Sequence, residues 1–291
     1  MTGENTQEEA YFVYGPLTRN GKSTFLDTLE HLFGDYAMNC QPETLAQKER
    51  NSRQASGDIA RLAGTRLLHC GEPPKRMRLD EALLKNLTGR DVVTARFLNE
   101  GEFQFIPVFK LFVNTNYLPL VTDDSLFASD RVKVIMFPRH FEPEEQDIHL
   151  KSKLQNRENI SGIFNWCLAG LRRYLDRNEC LIVPEAVRKD TGEYRNNSDK
   201  LKQFMTDCLL PNSSYTVPAK KVYEVYQAWC QDNGYGTENK ANFLDELRSK
   251  NLLSATGTID GRTVHNVVKG FFLDESLLFK DSGTHSDAIP F

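Results

Sequence analysis

The chain has little that would mark a metal-binding module, a membrane protein or an outright nucleic-acid binder. Its six cysteines, at 40, 70, 167, 180, 208 and 230, include no CxxC pair and have no histidines beside them at metal-ligand spacing. Reduced, buried thiols of a cytoplasmic protein fit that pattern. No cationic leader precedes an apolar run, and no stretch approaches the ~20 apolar residues that span a bilayer. The expected product is cytoplasmic, with no membrane partner. Positive charge is also in short supply. Lys and Arg number 36 against 40 Asp and Glu, giving a formal charge of −4 and a pI near 5.9. A polyanion must therefore meet a local basic patch. Internal repeats and low-complexity runs are absent.

What is present is length and pattern. With 40% hydrophobic residues, 291 positions suffice for one large core or two modest ones, and usual domain size favours two. Tyr11 to Tyr14 is a short apolar run ending at Gly15, as a buried strand entering a loop would. A helix is expected from Ser23, its apolar positions Phe25, Leu26, Leu29, Leu32 and Phe33 keeping helical period and Gly34 capping it. Polar residues 41–58 follow. A helix through Asp58 to Leu62, a strand at Arg66 to Cys70 and a helix over Leu79 to Leu87 come next. Val92 to Leu98 and Glu102 to Ile106 alternate around Asn99-Glu100-Gly101, which predicts a hairpin. Lys110 to Val113 and Val132 to Phe137 read as buried strands, and Gly162 to Leu175 as a helix carrying Phe164, Trp166, Leu168 and Leu171. Strands alternating with helices predict an α/β domain with a mostly parallel sheet covered on both faces. Beyond residue 200 the order changes to three helices, near 200–210, 218–233 and 239–250, and then short strands around Gly257 to Val268 and Gly270 to Leu273. That is the order of a winged-helix domain.

The decisive segment is Gly15-Pro16-Leu17-Thr18-Arg19-Asn20-Gly21-Lys22-Ser23-Thr24, between the first strand and first helix. Glycines at 15 and 21 let backbone amides turn inward as an anion nest with Asn20, and the helix N-terminus adds its dipole. Lys22 can then reach the β and γ phosphates, and the Ser23 hydroxyl can hold Mg²⁺. ATP and Mg²⁺ are the implied cofactors. Five residues rather than four separate Gly15 from Gly21, so the outer arm of the loop is longer than usual while the Asn20 to Thr24 nest stays intact. An ordinary glycine-capped helix start is the alternative. Glu72, at a strand end, is the candidate carboxylate for metal and water, although its neighbour is Gly71 where such enzymes usually carry a second acid. Asn116, at another strand tip, can orient the water through its amide or simply form a turn.

The order of these motifs resembles the superfamily 3 helicases, an AAA+ class, and specifically the C-terminal motor of phage and plasmid primase-helicases and their poxvirus relatives. The resemblance rests on YGPLTRNGKSTF (14–25), the GE pair at 71–72, LLKNLTGRDVVTARFL (83–98), FKLFVNTNYLP (109–119) and DRVKVIMFP (130–138). It extends through PEAVRKDTGEYRNNSDKLKQF (184–204) and VYEVYQAWCQDNGY (222–235), so it covers Tyr11 to about Leu273. It implies a ring, usually a hexamer, that hydrolyses ATP while translocating on single-stranded or forked DNA. By that resemblance Lys22, Ser23 and Thr24 fall on the nucleotide motif, Glu72 on the Walker B acid, Asn116 on the sensor and Arg131 on the arginine finger that serves a neighbouring subunit. Relatives often carry two adjacent basic residues there, whereas this chain has Asp130 before Arg131. A surface arginine is the alternative. The implied layout is an ATPase domain over 1–178, a linker over 179–199 within a polar stretch read as helix plus linker, a winged-helix domain over 200–275 and a flexible tail over 276–291. Only ten residues precede the first strand, so the primase and helical collar usually found upstream are expected elsewhere in a longer protein or in a separate chain.

In this family the hairpin between the Walker B and sensor strands grips DNA, which implicates Arg90 and Arg96. Repeated around a ring, two arginines would make a dense positive collar, though both could instead pair with Asp91 and Glu100. In the C-terminal part, residues 200–275 hold nine Lys and Arg against nine Asp and Glu. Lys240, Arg248 and Lys250 with Arg262 and Lys269 could still form one basic face, but winged helices also dock proteins. Tyr223, Tyr226 and Trp229 keep helical spacing and are read as core. Asp287-Ala288-Ile289-Pro290-Phe291 resembles the acidic Ile-Pro-Phe tip of bacterial single-stranded DNA-binding proteins. It offers an anchor for a host replication protein, or is a plain disordered tail. The expected function is an ATP-dependent DNA helicase motor of phage or mobile-element replication. The rival is an initiator or loader that assembles on DNA without unwinding it.

Overall fold

The computed structural model describes residues 2–48, 56–75, 77–119, 121, 124–233, 235–276 and 278. It divides into two compact units, Met1–Ser198 and Asp199–Phe291. The tail segment Asp287 to Phe291 lies outside the described residues. Among the described residues no helix is long and apolar enough to cross a membrane.

The first unit runs β1 (Ala10–Tyr14), α1 (Lys22–Phe33), β2 (Ala37–Cys40), α2 (Gly57–Ala60), β3 (Leu67–Cys70), α3 (Glu81–Thr88), β4 (Val93–Arg96), β5 (Glu102–Phe105), β6 (Lys110–Thr115), α4 (Ser125–Ala128), β7 (Val132–Met136), α5 (Leu150–Gln155), α6 (Arg157–Leu175) and α7 (Glu185–Ser198). Five strands form one sheet in the order β2-β3-β6-β1-β7, and every pairing in it is parallel. The mostly parallel α/β sheet expected from the sequence is therefore present. The first strand lies between the last two, so the loop leaving β1 is flanked by the ends of both β6 and β7. β1, β3 and β6 bury Phe12, Leu68, Leu111 and Val113 completely, which is why they read as apolar runs. β4 and β5 make the expected antiparallel hairpin, apart from the main sheet, with Ala95 packed into the same core.

The polar stretch 178–200, read as helix plus linker, holds the helix α7, and α7 packs on β7. Thr191 Oγ1 accepts from the Val134 amide at 2.9 Å, satisfying a donor that edge strand β7 would otherwise leave open. Tyr194 enters the core against Phe12 and Phe127, and its hydroxyl donates to the Pro119 carbonyl at 2.6 Å. Burial drives that phenol's pKa sharply upward, keeping it a neutral donor. By contrast α6, expected to cover the sheet, buries no residue fully: Ile160, Ile163, Cys167, Leu168, Leu171 and Tyr174 are half-buried along one stripe, while Phe164 and Trp166 lie exposed.

The second unit runs α8 (Lys200–Cys208), β8 (Leu209–Pro218), α9 (Ala219–Asp232), α10 (Lys240–Ser249), β9 (Leu253–Ile259) and β10 (Arg262–Leu273). The three strands pair antiparallel in the order β8-β10-β9. β8 was not expected, because Pro211, Pro218 and Asn212-Ser213-Ser214 look like loop. As a strand paired on one side only, it tolerates both prolines. The break foreseen near Gly270 is a register shift inside one strand, where Gly270 takes φ +82°. Tyr226 and Trp229 form the core with Phe204 and Phe243, with Tyr223 packed beside them, as their helical spacing implied. Four of the six cysteines are buried, but Cys180 is exposed and Cys167 half-buried, so the buried-thiol expectation fails for those two.

Tyr194→Ala should destabilise the chain by about 3–5 kcal/mol. Tyr194→Phe should cost about 1–3 kcal/mol, because the Pro119 carbonyl loses its donor. Urea denaturation followed by circular dichroism reads both; an unchanged midpoint for Tyr194→Ala would contradict α7 as part of the first core.

Candidate functional site

The strand order puts the segment 15–21 at the carboxyl end of β1, the position where parallel sheets bind ligands. The Gly15 amide donates to Thr115 O at 3.2 Å and the Phe137 amide to Tyr14 O at 2.6 Å, tying both neighbouring strand ends to the loop. Helix α1 begins at Lys22, one residue before the expected start, on Gly21 with φ +89° and no side-chain cap. Its first amides are thus left to the loop mouth, the usual arrangement for receiving an anion.

Lys22 is 5% exposed, and its Nζ donates to Gly15 O at 3.2 Å, Asn20 Oδ1 at 3.1 Å and Asn116 Oδ1 at 2.5 Å. The three acceptors come from the strand end, the loop and the tip of β6. Burial lowers the Lys22 pKa, and the nearby Glu72 carboxylate works against that shift. Gly15, Asn20 and Asn116 are therefore brought together on Lys22, with Glu72 near enough to act on its charge. Glu72 is exposed just past the end of β3, and Ser23 is exposed at the start of α1 with Thr24 beside it.

The longer outer arm of the loop has a physical account. Arg19 takes a left-handed conformation, φ 54°, and the carbonyls of residues 17 to 19 are each used. Leu17 O accepts from Asn20 Nδ2 at 2.7 Å, Thr18 O meets His140 Nδ1 at 2.7 Å, and Arg19 O accepts from the Phe141 amide at 3.1 Å. Arg19 Nη1 also donates to Gln146 Oε1 at 2.5 Å. The segment after β7 straps the arm down. Sequence reading missed His140, Phe141 and Gln146, since none has a motif. It also passed over Asn114, whose Nδ2 lies 3.3 Å from Ser23 Oγ. The period of two along β6 was the available signal, since it puts Asn114 on the same face as Asn116.

The other candidates lie elsewhere. Arg131 precedes β7, at the opposite end of the sheet from the loop. Five strand residues at ~3.3 Å each separate the two ends by roughly 16 Å. Its guanidinium pairs with Glu8 and donates to Thr88 Oγ1 at 3.1 Å and Lys85 O at 3.4 Å. Arg90 Nε pairs with the same Glu8 at 3.2 Å rather than with Asp91. Arg96 stands directly opposite Glu102 in the hairpin. In the second unit Arg248 pairs with Asp245 at 2.5 Å and Lys250 with Asp199 at 2.6 Å, while Lys240 opens α10 and Arg262 opens β10, both exposed. Two of the five cations of that expected basic face are thus neutralised locally.

A parallel sheet with such a loop at the tip of its inserted strand fits the phosphate-loop class. Residues 196–271 match the Poxvirus D5 protein-like family, and residues 13–131 match a family of unknown function, DUF5906. Three relatives carry the name "putative helicase". L207/L206 of Acanthamoeba polyphaga mimivirus is 28% identical over 81% of this chain and 26% of its own length. For 022R of Frog virus 3 the figures are 25%, 75% and 24%, and for V13 of the Sputnik virophage 26%, 71% and 28%. The chain thus spans about a quarter of the length of these relatives. The apo structure of the NrS-1 C-terminal region aligns over 92% of this chain and 68% of that one, at 14% identity and a TM-score of 0.42. The resemblance to the superfamily 3 primase-helicases read from the sequence is borne out by the D5-like match and the relatives named putative helicases.

Gly15→Ala tests the loop's packing. A Cβ at Gly15 would approach the Phe137 carbonyl oxygen to 2.6 Å and the Asn20 amide more closely still. The Asn20 side chain can swing away but the carbonyl cannot. Gly15→Ala should therefore cost about 1–3 kcal/mol, and adding Asn20→Ala should not restore it. Thermal melting of the two variants checks this.

Proposed function

We propose that this chain is the ATPase motor of a DNA helicase, of AAA+ type, serving replication of a virus or mobile element. The observation that carries the proposal is the convergence of Gly15, Asn20 and Asn116 on the buried Lys22 ammonium. In this reading Lys22 receives the β and γ phosphates of ATP, and the α1 amides with Gly21, Ser23 and Thr24 complete the nest. The Ser23 hydroxyl and Glu72 carboxylate offer the hard oxygen donors that Mg²⁺ prefers, and the ion would neutralise charge developing on the phosphates. Glu72 orients and deprotonates the attacking water, while Asn116 holds it and couples its position to Lys22.

Arg131 is proposed as a finger for a neighbouring subunit. Its distance from its own loop supports action in trans, and its present partner, Glu8, would be exchanged for a neighbour's phosphate. Assembly as a ring, with six subunits the family's usual number, follows from that role. Arg90 and Arg96 would contact the DNA backbone near the ring axis. The second unit is proposed as a winged helix, supported by its order of helix, strand, two helices and two strands around one antiparallel sheet. The pairing of Arg248 and Lys250 with aspartates favours protein docking over DNA binding for that unit.

Lys22→Ala should lower ATP hydrolysis by on the order of 10²-fold or more. Hydrolysis at the parent rate would sink the nucleotide assignment. Displacement of a strand from a forked duplex separates a helicase from a loader that assembles without unwinding. For the finger, Arg131→Ala subunits mixed into wild type should depress ATPase activity below simple dilution. A strictly proportional decline would rule out action in trans.

A further inference from the structure

A serine hydroxyl that ligates a divalent cation must be held by a second group, and in phosphate-loop enzymes a carboxylate beside the Walker B acid commonly stands near that position. Here the residue before Glu72 is Gly71, which has no side chain to offer. The parallel register pairs Cys70 with Val113, so Gly71 is level with Asn114 on the next strand. Side-chain alternation puts both on the same face. Asn114 Nδ2 lies 3.3 Å from Ser23 Oγ, and Asn114 Oδ1 is buried without a hydrogen-bond partner. One end of this amide thus engages the Ser23 hydroxyl and the other engages nothing. A half-turn about the last side-chain bond presents the carbonyl oxygen to Ser23 instead. In that orientation it accepts the hydroxyl proton and leaves the Ser23 lone pairs directed at a cation.

We propose that Asn114 is a positioning residue that orients the Ser23 hydroxyl for the nucleotide's divalent cation, standing in from the adjacent strand for the acid missing at Gly71. The inference rests on the nucleotide-binding reading above. It also explains why the strand tip carries two asparagines at a spacing of two: Asn116 serves Lys22 and Asn114 serves Ser23.

Calorimetric titration of the chain with ATP, in EDTA and in Mg²⁺, tests it through affinity rather than turnover. Wild type should bind ATP more tightly with Mg²⁺. Asn114→Leu should keep the EDTA affinity and lose on the order of tenfold of the Mg²⁺-dependent tightening. Asn114→Ser, a smaller change too short to reach Ser23, should do the same if the leucine variant fails to fold. A Cβ at Gly71 would meet nothing nearer than the Pro42 ring at 3.9 Å. The double variant Gly71→Asp with Asn114→Leu should therefore regain the tightening. Full Mg²⁺ tightening in Asn114→Leu and Asn114→Ser, or equal losses with and without Mg²⁺, would overturn this role alone. Wild type that binds no ATP would overturn the nucleotide reading and this inference with it.

Discussion

A lysine ammonium buried without a hydrogen-bonded carboxylate is the constraint on which the first unit depends. Lys22 is shielded from water, yet its three direct partners are neutral oxygens. Burying a charge is costly unless hydrogen bonds replace its hydration. The oxygens come from the end of β1, the loop and the tip of β6, so all three must hold position together. The β1–β6 register is what guarantees this. A slip of one residue would turn Asn114 and Asn116 to the opposite face and strand the ammonium. Glu72 answers part of the charge from a distance, and a phosphate group would answer the rest.

That requirement explains why the loop tolerates its extra residue. An added residue brings another carbonyl and amide, and a surface loop can become a source of disorder when these are unsatisfied. Here the carbonyls of Leu17, Thr18 and Arg19 are each taken up, two of them by the segment following β7. The same segment supplies Phe137 O, which limits position 15 to glycine. The site therefore includes a stretch of chain more than a hundred residues from the motif. The contacts on either side of Arg19 offset the cost of its left-handed backbone.

The motif residues were legible because each is a local device: a glycine-flanked turn, a cationic side chain at a helix start, polar tips on apolar strands. The fully buried strand β3 and the alternately buried strand β6 were legible for the same reason. What the sequence hid depends on distant partners. β2 is four residues long and reads as loop until β3 pairs with it. β8 contains two prolines and is a strand only because β10 lies alongside on one edge. α7 looks solvated from its charge, and only Tyr194 and Thr191 betray a buried side. The stripe along α6 was legible too, but it is only half-buried and Phe164 and Trp166 stay exposed, since a stripe shows which face can pack and not how completely it is covered.

Arg131 illustrates the same limit within the proposed mechanism. Its type and place in the motif order are visible in the sequence, but its partner Glu8 is not. Glu8 sits at φ 53° in the short turn before β1 and holds Arg131 and Arg90 together. Arg131 is mostly buried, so releasing it without a replacement anion would leave a guanidinium with only the Thr88 hydroxyl and the Lys85 carbonyl. Breaking such a pair costs several kcal/mol when one charge is left unanswered. In an isolated subunit Arg131 therefore stays with Glu8. Only an approaching anion of greater charge density can compete, and a neighbour's terminal phosphate is such an anion. The proposed finger would thus engage only when a nucleotide-loaded neighbour arrives, and the same step would free one of Glu8's oxygens to bind Arg90 more tightly.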